Sequence, residues 1–185
     1  MPQSKSTMMP LGTVAPAFSL PDTVSGNTLS LSDVKSEKGT VVMFICNHCP
    51  YVIYVQDKVV ELACDFQNKG VGFVAISAND VENYPEDAPD LMKEHAEKHN
   101  FPFPYLYDES QQVAKAFDAA CTPDFFVFDS QGKCVYRGRM DGATPGNNVP
   151  VTGEELKMAL NYLVEGLPID TEQHSSIGCG IKWKK

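Results

Sequence analysis

Residues 40–50 read TVVMFICNHCP, an apolar run that ends at two cysteines. The first part, residues 40–45, is rich in β-branched and aromatic side chains, which is the composition of a strand buried on both faces. Apolar residues then recur at helical spacing over residues 51–69, so we expect an amphipathic helix there. Cys46 and Cys49 therefore lie where a buried strand gives way to a helix.

A Cys-x-x-Cys pair at such a junction favours redox chemistry. We expect Cys46 at the helix N-terminus, where unpaired backbone N–H groups and the helix dipole stabilise a thiolate. Cys49 would come about one turn later on nearly the same face, close enough to resolve a mixed disulfide. His48 adds a group that can be cationic and lower a thiol pKa. The motif predicts thiol–disulfide exchange.

Other interpretations of the pair are zinc binding, Cu(I) binding and inert packing in the core. Zinc is disfavoured because no second Cys-x-x-Cys or finger-spaced histidine pair is present. For copper, the spacing of the sequence identifies no third ligand. The position at a helix start argues against inert packing in the core. We therefore expect no resident metal and no cofactor. The remaining cysteines are scattered singly, at Cys64, Cys121, Cys134 and Cys179.

Composition indicates one globular domain. The chain has 185 residues, 43% hydrophobic and 21% charged, which suits a single domain over residues 1–185 with a core at about 10–165 and a tail at 166–185. A formal net charge of −9 disfavours nucleic acid and anionic membranes as partners. No run has signal-peptide or membrane-span length, so we expect a cytoplasmic protein whose thiols are normally reduced.

The rest of the chain predicts an α/β fold of three layers around a mixed sheet. An apolar run at residues 71–77 completes a strand–helix–strand unit with parallel strands. Pro123 precedes another apolar strand, at whose start it must lie because it cannot donate to a strand ladder. Further predicted elements are helices at 90–100 and 111–117, a hairpin of 125–128 with 134–139, and a last helix that opens at 152–155 and ends at 166–168.

This order of elements resembles the thioredoxin fold, and the opening APAFSLPD of residues 15–22 is similar to the AhpC/TSA (peroxiredoxin and TlpA-like) branch. The resemblance runs from about residue 10 to 165. Within that branch the chain resembles a group of bacterial thioredoxin-family proteins with a Cys-Asn-His-Cys motif, on three stretches. These are FICNHCPYV at 44–52, CTPDF at 121–125 and SIGC at 176–179.

The resemblance implies roles for individual residues. Cys46 would be the nucleophile and Cys49 the resolving thiol, with Pro123 as a cis-proline facing them. Thr122 would offer backbone groups to an extended substrate strand. Cys121 would lie beside the pair, either as a small buried residue or as a third thiol that traps or relays a disulfide. Cys179, in the tail, would be a second-site thiol, with Cys121 or another chain as its partner.

Two features depart from the related families. A peroxiredoxin needs Thr or Ser three residues before its reactive cysteine and Pro four residues before that. Counting back gives Met43 and Gly39 from Cys46, and Cys46 and Val42 from Cys49. The Gly-Pro dipeptide of thioredoxin is replaced by Asn47-His48, and a histidine before the second cysteine is similar to disulfide isomerases and DsbA-like oxidants.

Together these observations predict a thiol–disulfide oxidoreductase that reduces or exchanges protein disulfides. Its partners would be a disulfide-containing protein or a small thiol substrate, and a cellular reductant of the thioredoxin or glutathione system. One alternative is a peroxiredoxin-like thiol peroxidase with an antioxidant role in cell redox homeostasis. A second alternative is a metal-binding chaperone that uses Cys46, Cys49 and a histidine.

Overall fold

The computed structural model describes residues 2–185, and a five-stranded mixed sheet forms its centre. The strand order is β6-β5-β4-β8-β9. Strands β4, β5 and β6 are parallel to one another, β8 is antiparallel to β4, and β9 is antiparallel to β8. The elements in chain order are β1 (Gln3–Lys5), β2 (Ser19–Pro21), β3 (Thr28–Ser30), α1 (Leu31–Val34), β4 (Gly39–Phe44), α2 (Pro50–Gln67), β5 (Val71–Ser77), a 3₁₀ helix (Pro85–Asp87), α3 (Pro89–Lys98), β6 (Tyr105–Tyr107), α4 (Gln112–Ala116), β7 (Cys121–Thr122), β8 (Asp124–Asp129), β9 (Cys134–Gly138), α5 (Glu154–Glu165) and β10 (Ile177–Gly180).

Helices cover both faces of this sheet. Helices α2, α3 and α5 pack against one face, while α1, α4 and the N-terminal segment pack against the other. Strand β4 alternates between the two cores, with Val41 and Met43 in the first and Val42 and Phe44 in the second. The predicted three-layer fold with a central mixed sheet is confirmed. Within residues 2–185, none of the helices has the length and apolar character needed to cross a membrane.

The C-terminal segment differs from the predicted tail because part of it is a strand. Strand β10 lies antiparallel between β1 and β7, with Cys179 opposite Thr122. Lys182 anchors the chain just after β10: its N–H donates to Asn79 Oδ1 at 2.9 Å, and its carbonyl accepts from Gln111 Nε2, also at 2.9 Å. A polar, glycine-containing segment gives little strand periodicity, so these long-range contacts could not be read from the sequence.

Strand β10 approaches β7 closely because Gly178 has no side chain. A Cβ atom built on Gly178 would lie 1.9 Å from the Thr122 carbonyl oxygen and 3.3 Å from Pro123 Cδ. Any side chain at this position therefore forces the two strands apart.

We expect Gly178→Ala to destabilise the protein by about 1–3 kcal/mol, the usual cost of an added methyl group that has no space. The measurement is urea unfolding together with hydrogen exchange of the β7 and β10 amides. Gly142→Ala is the matched control, because a Cβ there meets nothing closer than 3.8 Å. Equal stability of the two variants would contradict the close packing of β10 on β7.

Candidate functional site

Cys49, not Cys46, lies at the N-terminus of α2. The helix begins at Pro50 and Cys49 is its N-cap residue, with extended backbone angles (φ −71°, ψ 121°). Cys46 lies in the loop between β4 and α2, so the prediction that it occupies the helix start is wrong. The physical reason is Pro50: proline is favoured at the first helical position, where its missing N–H costs nothing, and this fixes Cys49 as the cap.

Both thiols of the motif are buried, with Cys46 1% and Cys49 0% exposed. The Cys46 and Cys49 thiols are hydrogen-bonded neighbours. Thr122 contacts both sulfurs: its Oγ1 is 3.6 Å from Cys46 Sγ, and its carbonyl oxygen is 3.3 Å from Cys49 Sγ. The motif loop and the residue before Pro123 therefore meet as predicted, and all six cysteines are free thiols.

The surroundings of the two thiols separate their pKa values. The hydrogen bond from Cys46 is the largest influence on Cys49 and lowers the pKa of its thiol, against the effect of burial. The neighbouring Cys179, Thr122 and Val52 lower it further. The same Cys46–Cys49 hydrogen bond, with burial and the charge of Asp87, holds the pKa of Cys46 well above its usual range. The lower pKa of the pair is therefore that of Cys49.

Cys179 is a third thiol at the site. It is 4% exposed, and its S–H donates to the Cys49 sulfur. Burial is the main cause that raises its pKa, and the hydrogen bond to Cys49 adds to the increase. The expected partners for Cys179 were Cys121 or another chain. Its contact with Cys49 could not have been predicted, because it depends on the pairing of β10 with β7.

Cys121 is buried beside this cluster, and its surroundings favour an unreactive thiol. Its sulfur lies 3.9 Å from the carbonyl oxygens of both Pro123 and Ser176. Burial, followed by the charge of Asp124, raises its pKa. The Thr122–Pro123 peptide bond is cis, as the resemblance implied.

Asp87 organises the motif loop from the segment that comes after β5. Its carboxylate is 0% exposed and accepts from the Asn47 backbone N–H and from Asn79 Nδ2, each at 2.8 Å. His48 Nδ1 lies 2.6 Å from Asp87 Oδ2, but off the direction of a good hydrogen bond. Asn47 is further held by the Tyr105 hydroxyl, which donates to Asn47 Oδ1 at 2.9 Å.

The role expected for His48, that of lowering a thiol pKa, is not seen. Its ring faces Asp87 and stacks on Tyr84, with centroids 5.9 Å apart, and His48 is not among the groups that shift Cys49. Asp87 itself was missed by the sequence reasoning. The available signal was the position of its loop, directly after β5 at the carboxyl edge of the parallel strands, where functional groups gather.

One group of potential metal ligands exists within residues 2–185. The donor atoms of Cys46, His48 and Asp87 all lie within 4.8 Å of one another. Sulfur, imidazole and carboxylate donors suit zinc, but two of the three are already in contact with each other in the His48–Asp87 pair. A metal ion would have to break that pair to bind here.

The strand edge at Thr122, where a substrate strand is expected to bind, is already paired with another strand of the protein. Strand β7 pairs with β10 through Thr122 and Cys179, so its backbone is not free to receive another strand while β10 is in place. A cleft of about 220 Å³ lies on the other side of Pro123. Its lining residues include Tyr51, Phe125, Arg139 and Ile177, and the Arg139 guanidinium forms a bidentate ion pair with Glu155.

Two solved structures are similar to the chain over almost its whole length. A conserved protein from Geobacillus kaustophilus is 58% identical with a TM-score of 0.98, and the alignment covers 100% of this chain and 97% of that one. A protein from Sinorhizobium meliloti is 40% identical with a TM-score of 0.95, and the alignment covers 97% and 98% of the two chains.

A curated relative carries a functional name. A Mycobacterium tuberculosis protein named "Putative peroxiredoxin" is 29% identical over 167 residues, which are 84% of this chain and 96% of that protein. The model of the AhpC/TSA family matches residues 11–137, which include the whole Cys-Asn-His-Cys motif and Pro123. Because that match spans more than half of the chain, and the fold is thioredoxin-like, the protein belongs to the AhpC/TSA family of redox proteins.

Proposed function

We propose that the protein is a thiol–disulfide oxidoreductase in which Cys49 is the attacking thiolate and Cys46 the resolving thiol. The observation that carries this proposal is the position of the Cys49 sulfur at the N-cap of α2, where Cys46 and Cys179 are its neighbours and the pKa of its thiol is lowered. A sulfur so placed is ionised at a pH where an ordinary thiol is protonated, and the thiolate is the nucleophile in disulfide exchange.

The reaction runs in two exchange steps. The Cys49 thiolate attacks one sulfur of a substrate disulfide, which forms a mixed disulfide and releases the other half as a thiolate. Cys46, already hydrogen-bonded to the Cys49 sulfur, then loses its proton and attacks that sulfur. The substrate leaves as a thiol and the Cys46–Cys49 disulfide remains, to be reduced by a separate dithiol or by glutathione.

The substrate best suited to this site is a small disulfide. A folded protein with an exposed disulfide cannot reach sulfurs that are 0–1% exposed, and the Thr122 backbone is already paired with β10. A small molecule needs a smaller opening to reach them, and a cleft of about 220 Å³ lined by Pro123 and Tyr51 lies beside the start of α2. Protein disulfides would require displacement of β10, which Lys182 anchors to Asn79 and Gln111.

The thiolate can be followed directly by its ultraviolet absorbance during a pH titration of the reduced protein. We expect one thiolate to form well below the ordinary thiol pKa of about 8.5, and Cys49→Ser to remove it. Cys46→Ala should shift the titration upward, because the neighbour that lowers the Cys49 pKa most is lost and alanine offers no donor in its place. A low-pH thiolate that survives in Cys49→Ser would contradict the assignment.

The lowered pKa of Cys49 also makes folding stability depend on pH. A thiol whose pKa is lower when folded adds stability that is complete above its unfolded pKa, about 8.5, and is lost as the pH falls through the folded pKa. The reduced wild type should therefore lose stability relative to Cys49→Ser as the pH falls from 8 into the acid range, as measured by urea unfolding at each pH. A pH-independent difference would show that the thiolate is not stabilised by the fold.

Turnover assays test the role of Cys49 against the exposed Cys64, and compare a small disulfide with a protein disulfide as substrate. With hydroxyethyl disulfide as substrate and glutathione as reductant, we expect Cys49→Ser to abolish activity and Cys64→Ser, at an exposed thiol, to leave it unchanged. The wild type should reduce this small disulfide much faster than it reduces insulin. Faster reduction of insulin would contradict the small-substrate assignment but not the role of Cys49.

Peroxidase activity is the second candidate, and the burial of Cys49 favours it as well. A hydroperoxide is small enough to reach a buried thiolate; it would leave a sulfenic acid on Cys49 and release an alcohol. Cys46 would then condense with the sulfenic acid to give the disulfide and water. A sulfenic-acid probe in Cys46→Ser/Cys179→Ser, which lacks both neighbouring thiols, tests this candidate at low peroxide, and no label at Cys49 would exclude it.

Metal binding is the third candidate, supported by the donor group of Cys46, His48 and Asp87. It requires stoichiometric Zn²⁺ or Cu(I) in the reduced protein and loss of that metal in Asp87→Asn or Cys46→Ser. Competition with a chromogenic chelator measures the affinity. Metal retention in Asp87→Asn would show that the ion is held elsewhere.

A further inference from the structure

The last strand brings a third thiol to the centre of the site. Cys179 lies directly opposite Thr122 in the β7–β10 pairing, and the Thr122 carbonyl oxygen is 3.3 Å from Cys49 Sγ. Gly178 permits this close approach, and the anchored Lys182 holds the strand from the other end. Cys179 is therefore fixed in place by the backbone and is not a mobile tail residue.

Two thiols converge on one sulfur at this site. Cys46, from the loop before the helix, and Cys179, from the last strand, lie in the same buried cluster as Cys49, and both influence the pKa of its thiol. Thiols packed together in this way can form a disulfide with Cys49 when their side chains rotate. Cys121, equally buried, instead faces the Pro123 and Ser176 carbonyls and makes no hydrogen bond to Cys49.

We propose that Cys179 is a second resolving thiol for Cys49, so that the protein can hold its disulfide either as Cys46–Cys49 or as Cys49–Cys179. This inference rests on the proposed attack by Cys49. In the exchange, the Cys179 thiol attacks the Cys49 sulfur of the Cys46–Cys49 disulfide, a new S–S bond forms, and the proton of Cys179 passes to the departing Cys46 sulfur. No external oxidant or reductant is consumed in this step.

The consequence is a covalent lock between the helix cap and the last strand. Once Cys49 is joined to Cys179, β10 cannot leave β7, and the edge at Thr122 stays closed. Cys46 returns to the reduced state at the same time. The position of the disulfide therefore controls whether a substrate strand could ever reach Thr122.

Trapping of the mixed disulfide tests this proposal. Hydroxyethyl disulfide is added to Cys46→Ser, to Cys46→Ser/Cys179→Ser and to the control Cys46→Ser/Cys121→Ser, and the adduct on Cys49 is followed by mass spectrometry. We expect the adduct to decay in the single variant and in the control, and to persist in Cys46→Ser/Cys179→Ser. Equal persistence in all three would overturn the role of Cys179 and leave the proposed function intact. No adduct in any of them would instead refute attack by Cys49.

Tryptic mapping of oxidised wild type supplies a test that needs no variant. Cys46 and Cys49 fall together in peptide 39–58, Cys179 is alone in peptide 158–182, and Cys121 is alone in peptide 116–133. After digestion with blocked thiols, we expect a 39–58 to 158–182 cross-link beside the internal Cys46–Cys49 disulfide. An internal disulfide alone, or a link to 116–133, would overturn the proposal.

Discussion

The site depends on how one buried sulfur is stabilised. Cys49 is 0% exposed, and a charge with no access to water persists only where donors replace the water. Cys46, Cys179, Thr122 and the Val52 backbone lower its pKa, and they come from the loop before α2, β10, β7 and the first turn of α2. These segments lie far apart in the chain, so the surroundings of this thiol depend on the fold as a whole.

The sequence was sufficient for the elements with strong hydrophobic periodicity. The prediction of a strand at 71–77 matches β5, and the predictions for β4 and α2 differ from the structure by one or two residues. It failed at the junction itself, where a shift of three residues decides which cysteine caps the helix. The helical repeat of apolar residues begins after Pro50, so it does not show which residue caps the helix. The preference of proline for the first helical position does show it. Side-chain periodicity and backbone constraints must be considered together at such a boundary.

The rest of the site could not be read from the sequence because it is built from long-range polar contacts. Asp87 and Asn79 come from the segment after β5, and Asn79 connects the motif loop to the last strand: its Nδ2 donates to Asp87 and its Oδ1 accepts from Lys182. Neither residue lies in a motif, and a polar loop contains many such side chains. Only the topology, which brings the carboxyl edge of the parallel strands to the start of α2, selects these two.

The same pairing that activates Cys49 also restricts access to it. Strand β10 contributes the Cys179 hydrogen bond and excludes water from the sulfur, but it covers the backbone edge that a substrate strand would use. Moving β10 away would open that edge and remove one of the donors that lower the Cys49 pKa. Under the proposed function, the site therefore cannot be fully open to an extended peptide and fully activated at the same moment. That mechanism favours small substrates, for which no strand has to move.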